Sequence, residues 1–456
     1  MRTDLATPLE LGQRSRRSRT PRVTVVALTA AALFVAVAFA VPPLTGWNVH
    51  TQTAPLYAGW DPRTGPGTVP SIALAMLGVA LLPTIAHRLP WRVLLLVAWA
   101  SAWGWTVALA AVDGQSGFTH TFSNRGEYLY GARRVDSVVT MIHTFTSRIP
   151  VGAVDPWHTH VAGHPPGALL LFVELYRAGL RSPWSLAWVT ITVATTAAVA
   201  VLITVRLLAG EMWARAAMPF LVLTPAALWI GVSADAVFGA VTAWGLAALA
   251  MAATRSGRVG VAGWGLLSGL LLGYGIYLSY GLILIGVVAV GVLRAARTPR
   301  PLPWSVAGAL MVVAAFSAAG FSWWTAVEVL RTRMQHSGAS LRPYAYWLWG
   351  DLAGWLCSTG LAVAVGVAYL LLRWRRGDLA RPGARALALL GGAGVVCVLL
   401  ATVSGMSEGE IERIFLPFSV WALVLVALVP RAHVRWVLGV QAVAALLLQH
   451  LLITGW

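Results

Sequence analysis

Four carboxylates, four arginines and five histidines share one polar segment, residues 113–165, enclosed by strongly apolar stretches. Its centre reads Arg125-Gly-Glu-Tyr-Leu129, followed by His158-Thr-His-Val-Ala-Gly-His-Pro-Pro-Gly167. Ionisable groups held at membrane depth are costly and mark function by default. Glu127 is the residue suited to act as a general base, since a carboxylate within reach of a hydroxyl can take its proton. Pairing of Glu127 with Arg125 or Arg134 is the structural alternative. His158, His160 and His164 follow a His-x-His-x3-His spacing that zinc could use. The adjacent Pro-Pro turn and the lack of a nearby cysteine favour structural hydrogen bonding instead.

Two other polar clusters could serve the same chemistry. Ser407-Glu-Gly-Glu-Ile-Glu-Arg413 places three acids and an arginine just before an apolar run. It reads either as a solvated turn or as a source of Glu412 and Arg413 for a phosphate site. Arg342-Pro-Tyr-Ala-Tyr-Trp347 could stack on a sugar through Tyr344, although aromatics at this depth usually anchor helices. Arg331, Arg333, Arg342 and Arg413 are cations of these segments that could meet an anionic group.

The elements that must position these groups are membrane helices. Hydrophobic residues make up 58% of the chain, charged residues 11%, and mean hydropathy is +0.74. Apolar runs recur near the ~20 residues needed to cross ~30 Å of hydrocarbon. The fold class is therefore all-α and polytopic, and a separate water-soluble catalytic domain is excluded.

All 33 basic residues are arginine. Twenty fall in segments 1–22, 88–92, 177–181, 294–300, 373–385 and 431–435, and nine in segments 46–69, 113–165, 326–350 and 404–414. The two sets alternate, so the first is read as cytoplasmic and the second as external, with the N-terminus inside and the C-terminus outside a cell membrane. The net charge of +17 thus reports topology and anionic headgroups, with no nucleic acid implied. Most acids lie on the external side, so chemistry is expected there.

Fourteen apolar runs are visible from residue 23 to 454, and the terminal orientation requires an odd number of crossings. Thirteen are expected, with one short or re-entrant segment between 185 and 293. The expected organisation is a basic tail (1–22), an N-terminal hairpin (23–92), a core (93–325) carrying the 113–165 loop, and C-terminal helices (326–456). Arg16-Arg17 reads as the flank of a first membrane helix rather than an export signal. Residues 127–146 are expected as one amphipathic interfacial helix. Pro165-Pro166 should open the next helix, which places His164 over a helix N-terminus. Asp235 reads as a packing hydrogen bond rather than, in a transporter, a proton-coupling site, and Cys357 and Cys397 should be packing residues.

An acid after the first core helix, an interfacial helix, and His-Pro-Pro opening the next helix resemble the membrane glycosyltransferases of the GT-C superfamily. The likeness is greatest to the protein O-mannosyltransferase and aminoarabinose-transferase branch. It is carried by Gly126-Glu-Tyr-Leu-Tyr-Gly-Ala-Arg-Arg134, by Pro225-Ala-Ala-Leu-Trp-Ile-Gly-Val-Ser-Ala-Asp235, and by Gly265-Leu-Leu-Ser-Gly-Leu-Leu-Leu-Gly273. This sequence has Gly126-Glu127 where the branch has an Asp-Glu pair, and residues 23–87 are additional.

The resemblance implies a polyprenyl-phosphate sugar as donor and a hydroxyl on an envelope glycan, glycolipid or protein as acceptor. It implies Glu127 as base, with Tyr128, Arg133, Arg134, His160, His164, Arg331, Arg333, Arg342, Tyr344, Glu412 and Arg413 around the substrates. A divalent cation, magnesium or calcium, held by Glu127 or Asp155 is the one cofactor it suggests. The rival readings are a transporter or flippase of a lipid-linked saccharide, and a non-catalytic subunit of an envelope-synthesis complex. No halves-related symmetry of helix breaks supports the transporter.

Overall fold

Proline and glycine punctuate the apolar runs, and the helices begin and end where they stand. Pro183, Pro382 and Pro166 sit in the first turns of their helices, and Ser182 caps the first of these in a reciprocal box with Ser185. Gly210 and Gly360 end helices at φ +105°, a conformation that a side chain resists. The computed structural model describes residues 8–231, 233–336 and 338–455, with side chains from residue 22 onward except Ser340's neighbour at 339. Arg16-Arg17 and the first residues of the basic tail lie outside these described side chains.

Among the described residues, eight helices are long and apolar enough to cross a membrane. They are Arg22–Thr45, Thr68–Arg88, Trp91–Asp113, Pro183–Ala209, Ala234–Ala253, Arg258–Leu278, Pro382–Val403 and Arg431–Leu451. Two bent pairs would raise the count to ten, and Tyr280–Ala296 and Leu416–Leu428 are shorter apolar helices. The all-α membrane class holds, while the count of thirteen is not reached by length and composition.

One of the fourteen apolar runs, 351–372, is divided between two helices, Tyr344–Thr359 and Ala362–Arg375, bent by 106° at Gly360. The first two membrane helices find their main neighbours apart from one another. Pro8–Thr45 lies against Tyr344–Thr359 and Ala362–Arg375, and Thr68–Arg88 lies against Arg431–Leu451, Glu211–Val222 and Trp91–Ala110.

The glycine run at 265–273 is a packing seam. Gly265, Gly269 and Gly273 fall on one face of Arg258–Leu278, facing Leu302–Ala318. A Cβ at Gly269 would stand 2.0 Å from the Ser305 carbonyl oxygen, and one at Gly308 would stand 2.4 Å from that of Leu266. The helix backbones meet closely because both sides lack side chains there.

The four segments grouped by charge counting meet at one end of the bundle. Arg63 pairs with Asp113, Tyr57 N–H donates to Glu412 Oε1 at 2.7 Å, and Gly409 N–H donates to Asp351 Oδ1 at 3.2 Å. Arg333 donates to the carbonyls of Ile149 and Trp157. A two-stranded antiparallel ribbon joins Ala58–Trp60 to Leu452–Thr454, so the chain's last turn shares this end.

One segment departs from the grouping. Residues 177–181, read as cytoplasmic, lie beside the 113–165 segment: Arg177 donates to the Asp136 carbonyl at 3.0 Å, and Arg133 donates to that of Arg181 at 3.1 Å. Phe118 stacks on Trp188 just beyond them, with ring centroids 5.4 Å apart. The intervening helix Pro166–Arg177 has 12 residues, about 18 Å of helix, which is too short to cross. This short segment lies outside the expected 185–293 range, and Glu211–Val222, also 12 residues, is a short one inside it.

The expected single helix over 127–146 is also broken, into Tyr128–Ala132 and Val138–His143. Ser137 caps the second, its hydroxyl accepting from Thr140 N–H at 3.3 Å, and this local bond competes with helix continuation.

Candidate functional site

Glu127 stands one residue before the short helix Tyr128–Ala132, in extended backbone at φ −92°, ψ 171°. Asn124 sets the turn that places it: its side-chain oxygen accepts from Gly126 N–H at 2.8 Å and its carbonyl from Glu127 N–H at 3.1 Å. Glu127 is 4% exposed, and its side chain hydrogen-bonds His160 Nδ1 through Oε1. This partner replaces the expected Arg125 or Arg134.

His160 lies on the short helix Thr159–Gly163, and its carbonyl accepts from His164 Nδ1 at 2.8 Å. Because a carbonyl can only accept, that bond fixes a proton on Nδ1. His164 Nε2 is left 3.4 Å from Asp235 Oδ1, a contact that is an ion pair when the ring carries both protons.

Asp235 occupies the first turn of Ala234–Ala253, where free N–H groups and the helix dipole favour a negative charge. Ser233 Oγ, the cap of that helix, accepts from Asp235 N–H at 3.1 Å. The carboxylate is 4% exposed and meets Arg413 Nη1 at 2.6 Å. Arg413 also reaches Glu410 Oε2 at 3.1 Å, and Glu410 faces Arg342 at 3.7 Å. Burial works against the Arg413 charge, but Asp235, Glu410 and Glu127 outweigh it and raise the guanidinium pKa. Glu127, His160, His164, Asp235, Arg413 and Glu410 thus form one continuous chain of contacts.

Tyr128 closes the cluster from below, stacked on Phe172 at 4.8 Å and edge-on to His164 at 5.9 Å. Its hydroxyl is buried with no hydrogen-bond partner among the described residues. Burial, then the charges of Asp235 and Glu127, push its pKa well up, so it stays a neutral O–H donor.

Five of the twelve residues expected from the sequence are gathered here: Glu127, Tyr128, His160, His164 and Arg413, with Arg342 reached through Glu410. Six are elsewhere. Arg134 pairs with Asp155 at 2.5 Å, together with Arg148, and Arg133 and Arg333 hold backbone carbonyls of the surrounding loop. Arg331 is exposed, and Tyr344 donates to the Val403 carbonyl at 3.0 Å. Glu412 turns toward Tyr57, buried, and burial pushes its carboxyl up to about 7.

Asp235 was expected only to pack, yet it is the hub of the cluster; its signal was that of a lone acid at a membrane helix start. Glu410 had no signal separating it from its neighbours in the acidic turn.

The divalent cation is not matched by a ligand set. Among the described residues, no three of His, Cys, Asp and Glu are grouped to hold a metal. Asp155 is committed to Arg134 and Arg148 and does not meet Glu127.

No family profile and no curated protein matches the chain. A solved structure, that of the Archaeoglobus fulgidus oligosaccharyltransferase in complex with Zn and sulfate, is similar at 12% identity and a TM-score of 0.41. The likeness covers 78% of this chain and 53% of that one, so the chain spans about half its length. At that depth it assigns neither residues nor activity.

Proposed function

We propose that this protein is a GT-C-type membrane glycosyltransferase acting at the external face of the cell membrane, in cell-envelope biogenesis. It would transfer a hexosyl or pentosyl unit from a polyprenyl-phosphate donor to a hydroxyl of an envelope glycan, glycolipid or protein. The observation that carries the proposal is the contact chain from Glu127 through His160 and His164 to Asp235 and Arg413, all at the end of the bundle where the acidic segments meet.

In this reading Glu127 accepts the acceptor hydroxyl's proton as the hydroxyl oxygen attacks C1. The new C1–O bond forms as the C1–O bond to phosphate breaks, and the bonding pair leaves with the phosphate. A single displacement of this kind inverts the anomeric centre. His160 holds the Glu127 carboxylate in place, Arg413 and His164 face the developing phosphate charge, and the Tyr128 hydroxyl is a further donor.

The depth of the cluster favours a second reading. Glu127, His164, Asp235 and Arg413 are between 4% and 9% exposed and already have protein partners. The same contacts would serve as an ionic lock in a transporter of lipid-linked saccharide or in a non-catalytic subunit.

The experiment is transfer of labelled sugar from a panel of polyprenyl-phosphate donors to envelope acceptors, by purified wild type and Glu127→Gln. Transfer by wild type with at least a ~100-fold loss in the variant supports both the activity and the base. Undiminished transfer by the variant removes Glu127 from the chemistry, and no transfer with any donor favours the lock.

A further inference from the structure

A cavity of about 790 Å³ is at the opposite end of the bundle from the acidic cluster. The helices Thr68–Arg88 and Arg431–Leu451 place it: their far ends contribute to the external segments, and their near ends, His87 and Arg431, line the cavity. A cavity of this volume falls within the range of small-molecule sites.

Six arginines line it: Arg215, Arg373, Arg376, Arg381, Arg431 and Arg435. They come from three separate helices and one connecting segment, and the sole acid in the lining is Asp378. Arg215 is neutralised by Glu211 at 2.5 Å and by backbone carbonyls of Ala86 and Leu89. Among the described residues, the other five have no carboxylate within ion-pair distance. The excess of basic residues at a cytoplasmic membrane face accounts for arginines at this end, but it does not require them to line one cavity. The inner wall is apolar, formed in part by Met212, Leu372, Val426 and Val434.

We propose that this cavity is a binding site for an amphiphile with a net-anionic phosphate headgroup, with the phosphate on Arg376, Arg381 and Arg431 and the hydrocarbon along the apolar wall. Guanidinium forks match phosphate oxygens two at a time, and a bound phosphate relieves the repulsion among unpaired cations. The site is independent of the proposed transferase chemistry, which lies at the other end.

The test is the melting midpoint of the purified full chain in detergent with dioleoylphosphatidylglycerol, dioleoylphosphatidylcholine or inorganic phosphate added. Phosphatidylglycerol is expected to raise the wild-type midpoint by several degrees, and phosphatidylcholine to leave it unmoved. The combined variant Arg376→Gln, Arg381→Gln, Arg431→Gln should lose more than half of that shift. The control Arg297→Gln, Arg300→Gln, in the neighbouring 294–300 connection and outside the cavity, should keep it. An equal shift with inorganic phosphate identifies free phosphate as sufficient, and no shift with it identifies the lipid as the source. No shift with either probe, an equal shift with phosphatidylcholine, or equal losses in triple variant and control would overturn the proposal. If the triple variant does not fold, single Arg376→Gln and Arg431→Gln variants are read by the same comparison.

Discussion

Asp235 and Arg413 are a buried pair with opposite charges, and the physics of such pairs sets what their variants should do. Removing one partner strands the other charge, which costs about 3–5 kcal/mol, while removing both often costs much less. Asp235→Asn and Arg413→Gln are each expected to lower the melting midpoint sharply, and the double variant should recover part of the loss. A double variant as unstable as the sum of the singles would show that the pair contributes by other contacts. Glu412 supplies a pH dependence of definite sign. Its folded pKa of about 7 exceeds the unfolded value of 4.5, so the folded state binds more protons between these values. Its contribution is complete below 4.5 and is lost as pH rises through 7, so stability should fall across that window. Glu412→Gln should flatten the fall, and a slope that is unchanged in the variant would assign the titration to another group. At this scale the sequence exposed Glu127 and the histidines, because polar residues in an apolar chain stand out. It could not expose Glu410 or the role of Asp235, because the partners that define them lie far away along the chain.

Single elements were legible where their boundaries are covalent in origin. The Pro165-Pro166 helix start is where proline requires it, whereas the close approach at Gly265, Gly269 and Gly273 is defined by the facing helix Leu302–Ala318. The break within 127–146 was hidden because the apolar spacing continues through it, while one hydroxyl at Ser137 restarts the helix. The bend at 351–372 was hidden for a similar reason: hydropathy does not register backbone direction, and Gly360 alone turns the chain at φ +105°. A Cβ on Gly360 would also meet Gln441, whose Cγ lies 2.8 Å away and whose amide holds the carbonyls of Phe220 and Leu223. Gly360→Ala is therefore expected to destabilise the protein by about 1–3 kcal/mol. A melting midpoint equal to wild type would mean the bend tolerates a side chain.

For the whole molecule, the four segments grouped by charge meet at one end of the bundle, while 177–181, grouped with the opposite set, lies beside 113–165 across a 12-residue helix. This is measurable. Cys357 and Cys397 are buried, so cysteines placed at Val154 and Ala178 can be labelled against little background. Both are expected to react with a membrane-impermeant maleimide from the same side of sealed vesicles. Labelling of Ala178→Cys from the side opposite Val154→Cys would restore the crossing.

The Asp235–Arg413 contact joins residues 178 positions apart, and this distance matters while the chain is being made. At a synthesis rate of about 5–20 residues per second, the arginine follows the aspartate out of the ribosome roughly ten to forty seconds later. Through that interval the acid of Ala234–Ala253 can have His164, already made, as a neighbour but not Arg413. Its position in the first turn suits the delay, because a carboxylate there can wait in the headgroup region until its partner arrives. The acidic cluster is thus among the last parts of the protein to be completed, and nascent chains ending before residue 413 would carry the acid without this arginine.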